Sequence, residues 1–258
     1  MLFSFLFLIR IVAIVLLYIA VLLFDVVYIQ SIVSDIGTIS GLFISALTPI
    51  KPKRLTNLEK SQFTLSDELK QILVGLILGD LYLNKQSTNV RLMFKQGIVN
   101  KHYLMHLYEI FRGYCSSGPK FTNAAPDKRT GIVYTGIYFN TYSLPCFVPL
   151  YELFYPDGKK IIPSNIAELL TESSLAYWLC DDGTFVKGRD IVILCTESFS
   201  ESEVDLLLAV LSNKFGLKCR KHKRGNGFRI VIVKSSLNKL RELVQSHLPS
   251  SMLYKIGL

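Results

Sequence analysis

One short pattern, an apolar run ending in a carboxylate, constrains this chain more than any other feature, because it occurs twice. Residues 73–80 read LVGLILGD and residues 175–183 read LAYWLCDDG. Gly75 and Gly79 are four apart, so on a helix they share one face. A face made of glycine lets a second helix backbone come very close. Asp80 closes that helix at its C-terminal end, where the macrodipole opposes a negative charge. Helix stability therefore does not account for it, and metal ligation does. Taken alone, residues 73–80 read equally well as a core helix followed by a turn aspartate. The second occurrence tips the balance: Asp80 and Asp182 lie 102 positions apart, and the same plan of elements follows each.

The plan is legible in outline. Ser66 is an N-cap with Asp67 and Glu68 in the favourable first turn, and the helix runs to about Gly79. Residues 81–87 and 88–96 read as two strands around a polar turn, 101–111 as an amphipathic helix, 113–120 as a turn and 132–141 as a strand. A further helix covers 144–155, and a lysine-bearing loop covers 156–163. In the second copy Thr171 caps the helix. Two strands turn around 187–190, a helix spans 202–215, a hairpin turns near 225–227, and a helix covers 237–248. From Asp80 to Ile132 is 52 residues, and from Asp182 to its match Gly227 is 45; from Asp80 to Lys160 is 80, and from Asp182 to Lys255 is 73. Both differences are 7, so one length change near residues 121–131 accounts for both. The expectation is an α+β chain of two pseudo-symmetric αββαββα halves, 63–168 and 169–258, with Lys160 and Lys255 equivalent relative to their aspartates.

The N-terminal part is different in kind. Residues 2–24 are apolar except Ser4 and Arg10, long enough for a hydrophobic helix that spans a bilayer. Arg10 inside that run carries a cost unless it snorkels. The alternative is a leader translated from upstream sequence that does not serve the rest. The leader is taken as residues 1–30. Residues 31–62, broken by Gly37, Gly41, Pro49 and Pro52, read as a linker, with a basic cluster at 51–54. The first fifty residues carry a net charge of −1 against +9 for the whole, so the body is basic and suits a polyanionic partner. The five cysteines are odd in number and scattered, with no C-x-x-C, which argues against a disulfide framework or zinc ribbon.

The chain resembles the LAGLIDADG homing endonucleases of organelle introns, in their two-motif monomeric branch. The resemblance covers roughly residues 64–258 and rests on LVGLILGDLYL, LAYWLCDDGTF, KKIIPSNI and SMLYKIG in that order. It implies two motif helices packed at a pseudo-twofold axis, and a saddle-shaped antiparallel sheet in each half lying along the DNA major groove. It also implies a staggered double-strand cut at a long asymmetric site, a monomer, and terminal acidic residues acting as metal ligands. Those residues map to Asp80 and Asp182. Alignment on Ala176 against Gly75 selects Asp181 instead, and alignment on Gly183 selects Asp182. The bulky Tyr177 and Trp178 imply an asymmetric helix pair.

Two carboxylates at a helix interface suit Mg²⁺, a hard cation bound through one or two carboxylates plus phosphate. Lys160 and Lys255 would stabilise developing negative charge or position water; the bland alternative is a solvated lysine. Base reading falls to alternate strand residues, since one strand face meets the groove. Candidates are Asn84, Lys85, Arg91, Lys95, Gln96, Tyr134 and Tyr138 in the first half. In the second they are Lys187, Arg189, Arg220, Lys221, Lys223, Arg224, Arg229 and Lys234. His102 and His106 have zinc-ligand spacing, but no third ligand of matching spacing accompanies them. Three functions compete: a DNA endonuclease promoting intron mobility, an RNA maturase aiding splicing of its host intron, and a membrane protein whose basic domain binds lipid headgroups. Retention of both aspartates and both lysines favours cleavage. The mitochondrion is the expected compartment, with the chloroplast as alternative.

Overall fold

The computed structural model describes residues 54–258. The apolar leader, its proposed membrane contact through residues 2–24 and most of the 31–62 linker lie outside the described residues. Among the described residues no helix is long and apolar enough to cross a membrane.

The chain enters through a short helix, α1 (Asn57–Ser61), inside the stretch expected to be linker. Its signal is a capping box: Thr56 Oγ1 accepts from Glu59 N, and Glu59 Oε2 accepts from Thr56 N. The first motif helix, α2 (Asp67–Leu78), starts at the expected cap, where Ser66 Oγ accepts from Leu69 N at 3.2 Å. Strands β1 (Tyr82–Gln86) and β2 (Asn89–Gly97) follow, then α3 (Lys101–Phe111), β3 (Lys120–Asn123), β4 (Thr135–Asn140) and α4 (Val148–Phe154). After the short α5 (Ile166–Leu169) the plan repeats. It runs through the second motif helix α6 (Glu172–Asp182), β5 (Gly183–Val186), β6 (Ile191–Leu194), α7 (Glu201–Asn213), β7 (Cys219–Arg224), β8 (Gly227–Ile232) and α8 (Leu237–Val244). A 3₁₀ turn, Ser250–Ile256, carries Lys255.

Each half holds one four-stranded antiparallel sheet, β1-β2-β4-β3 and β5-β6-β8-β7. Alternation sets the two faces. Val90, Leu92 and Phe94 of β2 are buried, while Asn89, Arg91 and Met93 between them are not. Phe94 stacks on Phe139 with ring centroids 4.4 Å apart, and Val192, Leu194, Ile230 and Ile232 line the matching face of the second sheet. The helices cover these apolar faces and leave the other faces open.

Two details depart from expectation. Ile132 is exposed and the strand begins at Thr135, so Gly227, which opens β8, does not match Ile132. The edge strand β3 was missed because KFTN shows no apolar alternation and Phe121 is exposed. The principal length difference lies between β3 and β4, where residues 124–134 form a hairpin extension, against a turn of two residues, 225–226, between β7 and β8.

Candidate functional site

The two motif helices pack directly on each other, and glycine decides how closely. A Cβ on Gly75 would lie 2.1 Å from the backbone oxygen of Ser174, and one on Gly79 would lie 2.6 Å from Oδ2 of Asp181. Polar groups lock the N-terminal end of the crossing: Ser174 Oγ donates to the carbonyl of Gln71 at 2.8 Å, and Thr171 Oγ1 to its Oε1 at 3.0 Å. The pair is asymmetric, as Tyr177 requires. Its ring stacks on His106, and its hydroxyl lies 3.0 Å from Nε2 of that histidine. His106 is thereby committed to the helix pair, and burial lowers its pKa.

The C-terminal ends of both motif helices converge. Asp181 stands where the first copy has Gly79, and its side chain fills the space that glycine leaves. Its Oδ2 accepts from Asp80 N at 3.1 Å. Gln96 Nε2 donates to Asp80 Oδ2 at 3.1 Å and to Asp181 Oδ1 at 3.4 Å. Asn100 Nδ2 in turn donates to Gln96 Oε1 at 3.1 Å, which orients the amide. Burial, then the Asp80 charge, holds Asp181 well above the usual carboxylate range. Burial and Asp80 push Asp182 up to about 7, against the pull of Lys160, Trp178 and Lys255. Asp80 itself is exposed. Tyr103 and Trp178 stand beside these acids, and the buried Tyr103 hydroxyl and Trp178 Nε1 are close enough to favour the ionised forms of Asp181 and Asp182 without reaching good hydrogen-bond geometry.

A lysine clamps each helix end. Lys160 Nζ donates to the carbonyls of Ile77 and Gly79 at 2.8 and 2.7 Å; Lys255 Nζ donates to those of Asp181 and Gly183 at 3.4 and 2.8 Å. A cation on orphan C-terminal carbonyls is favoured by the helix dipole. Burial lowers the Lys160 pKa, while Asp182, Asp80 and Asp181 oppose that fall. Each lysine thus sits at the end of its own motif helix, but Lys255 bonds carbonyls two positions further along, relative to Asp182, than Lys160 does relative to Asp80. Among the described residues no group of three or more His, Cys, Asp or Glu side chains forms a ready-made metal cage.

The predicted strand residues divide by face. Asn84 opposes Arg91, and Lys95 opposes Tyr138, all on the open face of the first sheet. Lys85 and Gln96 have the opposite parity. Lys85 Nζ sits 5.3 Å from the centre of the Tyr151 ring, and Gln96 reaches the acids instead of the open face. Tyr134 precedes β4 and is exposed; it helps line a cavity of about 350 Å³ with Asp80, Lys95 and Gln96. In the second sheet Arg220, Arg224 and Arg229 share the open face, with Arg189 and Lys187 in the exposed β5–β6 turn. Lys221 and Lys223 have the other parity. Lys221 is tied to Glu201 and Asp205 of α7, both at 2.7 Å. Lys234 lies beyond β8 and pairs with Asp190 at 2.8 Å. His222, which opposes Arg229 on the open face, was missed, although strict alternation from Arg220 and Arg224 marks it.

Comparison with known proteins agrees with this geometry. Residues 70–240 match the LAGLIDADG DNA endonuclease family. The chain is 28% identical to the cytochrome b mRNA maturase bI2 of Debaryomyces hansenii over 75% of each chain. It is 29% identical to a probable intron-encoded endonuclease 1 of Wickerhamomyces canadensis, over 79% of this chain and 90% of that one. Among solved structures it is similar to the homing endonuclease I-WcaI bound to its DNA recognition sequence. That match has a TM-score of 0.74 at 28% identity, covering 82% of this chain and 96% of the other.

Proposed function

The chain belongs to the LAGLIDADG DNA endonuclease family, and we propose on that premise that it is an intron-encoded homing endonuclease. It makes a staggered cut through both strands of a long, asymmetric DNA site. The observation that carries this reading is the convergence of Asp80 and Asp182, from two helices of one chain, with Lys160 and Lys255 beside them. Because both motifs are in one chain and pack on each other, the protein acts as a monomer.

The acids fit a divalent cation. Carboxylates crowded together repel, and Asp182 is held near 7 by burial and by Asp80. A cation between them relieves that repulsion. Asp80 and Asp182 would hold Mg²⁺, while Asp181 has its oxygens engaged by Asp80 N and Gln96 and acts as a positioning residue. When bound there, Mg²⁺ would supply Lewis acidity and a more acidic water. Lys160 and Lys255 place positive charge next to the acids, where negative charge grows on the phosphate. Gln96 holds Asp80 in register through its hydrogen bond. The open faces of the two sheets read the groove, using Asn84, Arg91, Lys95 and Tyr138 on one side and Arg220, Arg224 and Arg229 on the other.

A second reading is RNA maturase activity on host-intron RNA, favoured by the relative named as a cytochrome b mRNA maturase. The names of these relatives also support assigning this protein to the mitochondrion. Incubation with Mg²⁺ and a DNA fragment spanning the intron-free insertion junction tests the first reading, and tight intron-RNA binding without a cut supports the second.

A further inference from the structure

We propose that the two halves read chemically different half-sites, guanine and thymine under the β5–β8 face and adenine under the β1–β4 face. The proposal rests on the endonuclease reading above and specifies the class of DNA it takes.

The observation is compositional and geometric together. Strands β5–β8 read GTFV, IVIL, CRKHKR and GFRIVI, with no Asn, Gln, Asp or Glu. Cross-strand pairing sets Arg220 opposite Val231, His222 opposite Arg229 and Arg224 opposite Gly227, with Ile193 on the other side of Val231. Arg189, Arg220, His222, Arg224 and Arg229 border one concavity of about 400 Å³ with Ile193 on its wall. Arginine has five donors and no acceptor. Among the strand side chains of this face only Thr184 and a neutral His222 offer an acceptor lone pair, and the Glu197 carboxylate that reaches it is taken up by Arg229.

In the major groove guanine presents two acceptors, O6 and N7, which match a guanidinium fork. Thymine presents a methyl group, which suits aliphatic side chains, whereas adenine asks for a donor and an acceptor together. A face of guanidinium forks and branched aliphatics therefore meets G and T and leaves adenine half-satisfied. The aliphatic neighbours also argue against pure phosphate binding, because Ile193 and Val231 gain nothing from a charged backbone. Arg229 is braced by an ion pair with Glu197, which fixes its fork.

The other face carries what the second lacks: amides stand there beside Arg91 and Lys95. Asn84 opposes Arg91, Gln86 opposes Asn89, and Asn140 opposes Met93, so amides stand on three of its strand pairings. Amides carry donor and acceptor in the geometry of adenine N7 and N6. Asn84 Nδ2 has only Met93 Sδ at 3.7 Å as a protein partner, so it is available to DNA.

The test is selection by the full chain from a library of duplexes randomised across the recognition site. The wild type is expected to select guanine at two or more positions of one half-site and adenine in the other. Arg220→Gln and Arg224→Gln should each relax a guanine position by about 5- to 100-fold, both in the same half-site. Asn84→Ala should relax an adenine position in the opposite one. Matching thermal melts exclude misfolding of the variants. Uniform weakening by the arginine variants with an unchanged profile, and a salt slope reduced by about one, would assign them to phosphate and overturn the proposal. Arginine variants that relax adenine positions would overturn it too. A wild type that selects no duplex removes both this proposal and the endonuclease reading beneath it.

Discussion

The backbone N–H of Asp80 donates to Oδ2 of Asp181 at 3.1 Å, joining the ends of two helices whose aspartates are 101 positions apart in the chain. That bond gives adjacent acids in one motif different surroundings. Asn at 181 keeps an oxygen acceptor for Asp80 N, so Asp181→Asn should retain cutting within about tenfold, the scale of one hydrogen bond. Asp182→Asn should abolish cutting. Single-turnover cleavage by both variants decides it; the reverse order would make Asp181 the ligand.

The helix crossing depends on the absence of one methyl group. A Cβ at Gly75 meets Ser174 backbone oxygen at 2.1 Å, and backbone has no rotamer by which to move aside. Gly75→Ala should destabilise the chain by about 1–3 kcal/mol, the range for overpacking a close contact. Chemical denaturation of the purified protein measures it. A loss below about 0.5 kcal/mol, the range of surface substitutions, would mean that the helices separate freely.

This crossing is also where the sequence was most informative. Gly75, Gly79 and the two acids announced a helix pair because close packing demands small residues and helix stability rejects a terminal aspartate. Lys160 and Lys255 both lie at motif-helix ends, but their bonded carbonyls are offset by two positions, because more than one length change separates the two copies. Gln96 was misread for a physical reason: strand parity turns it to the acid side, and composition alone does not fix which face of a strand is open. Lys221 was lost in the same way, since a run of basic residues conceals alternate partners on α7. The β3 strand carries no pattern because its edge position leaves Phe121 exposed.

Lys221 and Arg220 are neighbours on opposite faces of β7. Lys221→Ala breaks contacts with Glu201 and Asp205 and should lower the thermal midpoint only slightly, since solvent screens the pair, with DNA affinity nearly unchanged. Arg220→Ala should leave the thermal midpoint in place and weaken DNA binding. Thermal melts and DNA titrations on both variants, at one fixed salt concentration, separate the two roles. Equal loss of DNA affinity in both would contradict the assignment by strand parity.

Asp182 carries a pH signature. Its pKa is raised by burial and by Asp80 to about 7, so between the ordinary aspartate value and 7 the folded state binds more protons than the unfolded chain. In the absence of metal, stability from this group is present at low pH and is lost as pH rises through about 7. A cation needs the ionised form, so Mg²⁺ should raise the thermal midpoint little at pH 5.5 and more at pH 8. Melting with and without Mg²⁺ across this range reads the effect. An Asp182→Asn protein should show a much smaller rise, and an undiminished rise would remove Asp182 from the metal site.

The most direct measurement uses the full chain, Mg²⁺ and a duplex spanning the intron-free junction, with each strand separately labelled. The account predicts staggered breaks in both strands, with none in Asp80→Asn or Asp182→Asn proteins that melt at wild-type temperature. Breaks that persist undiminished in either variant would contradict the shared acid centre.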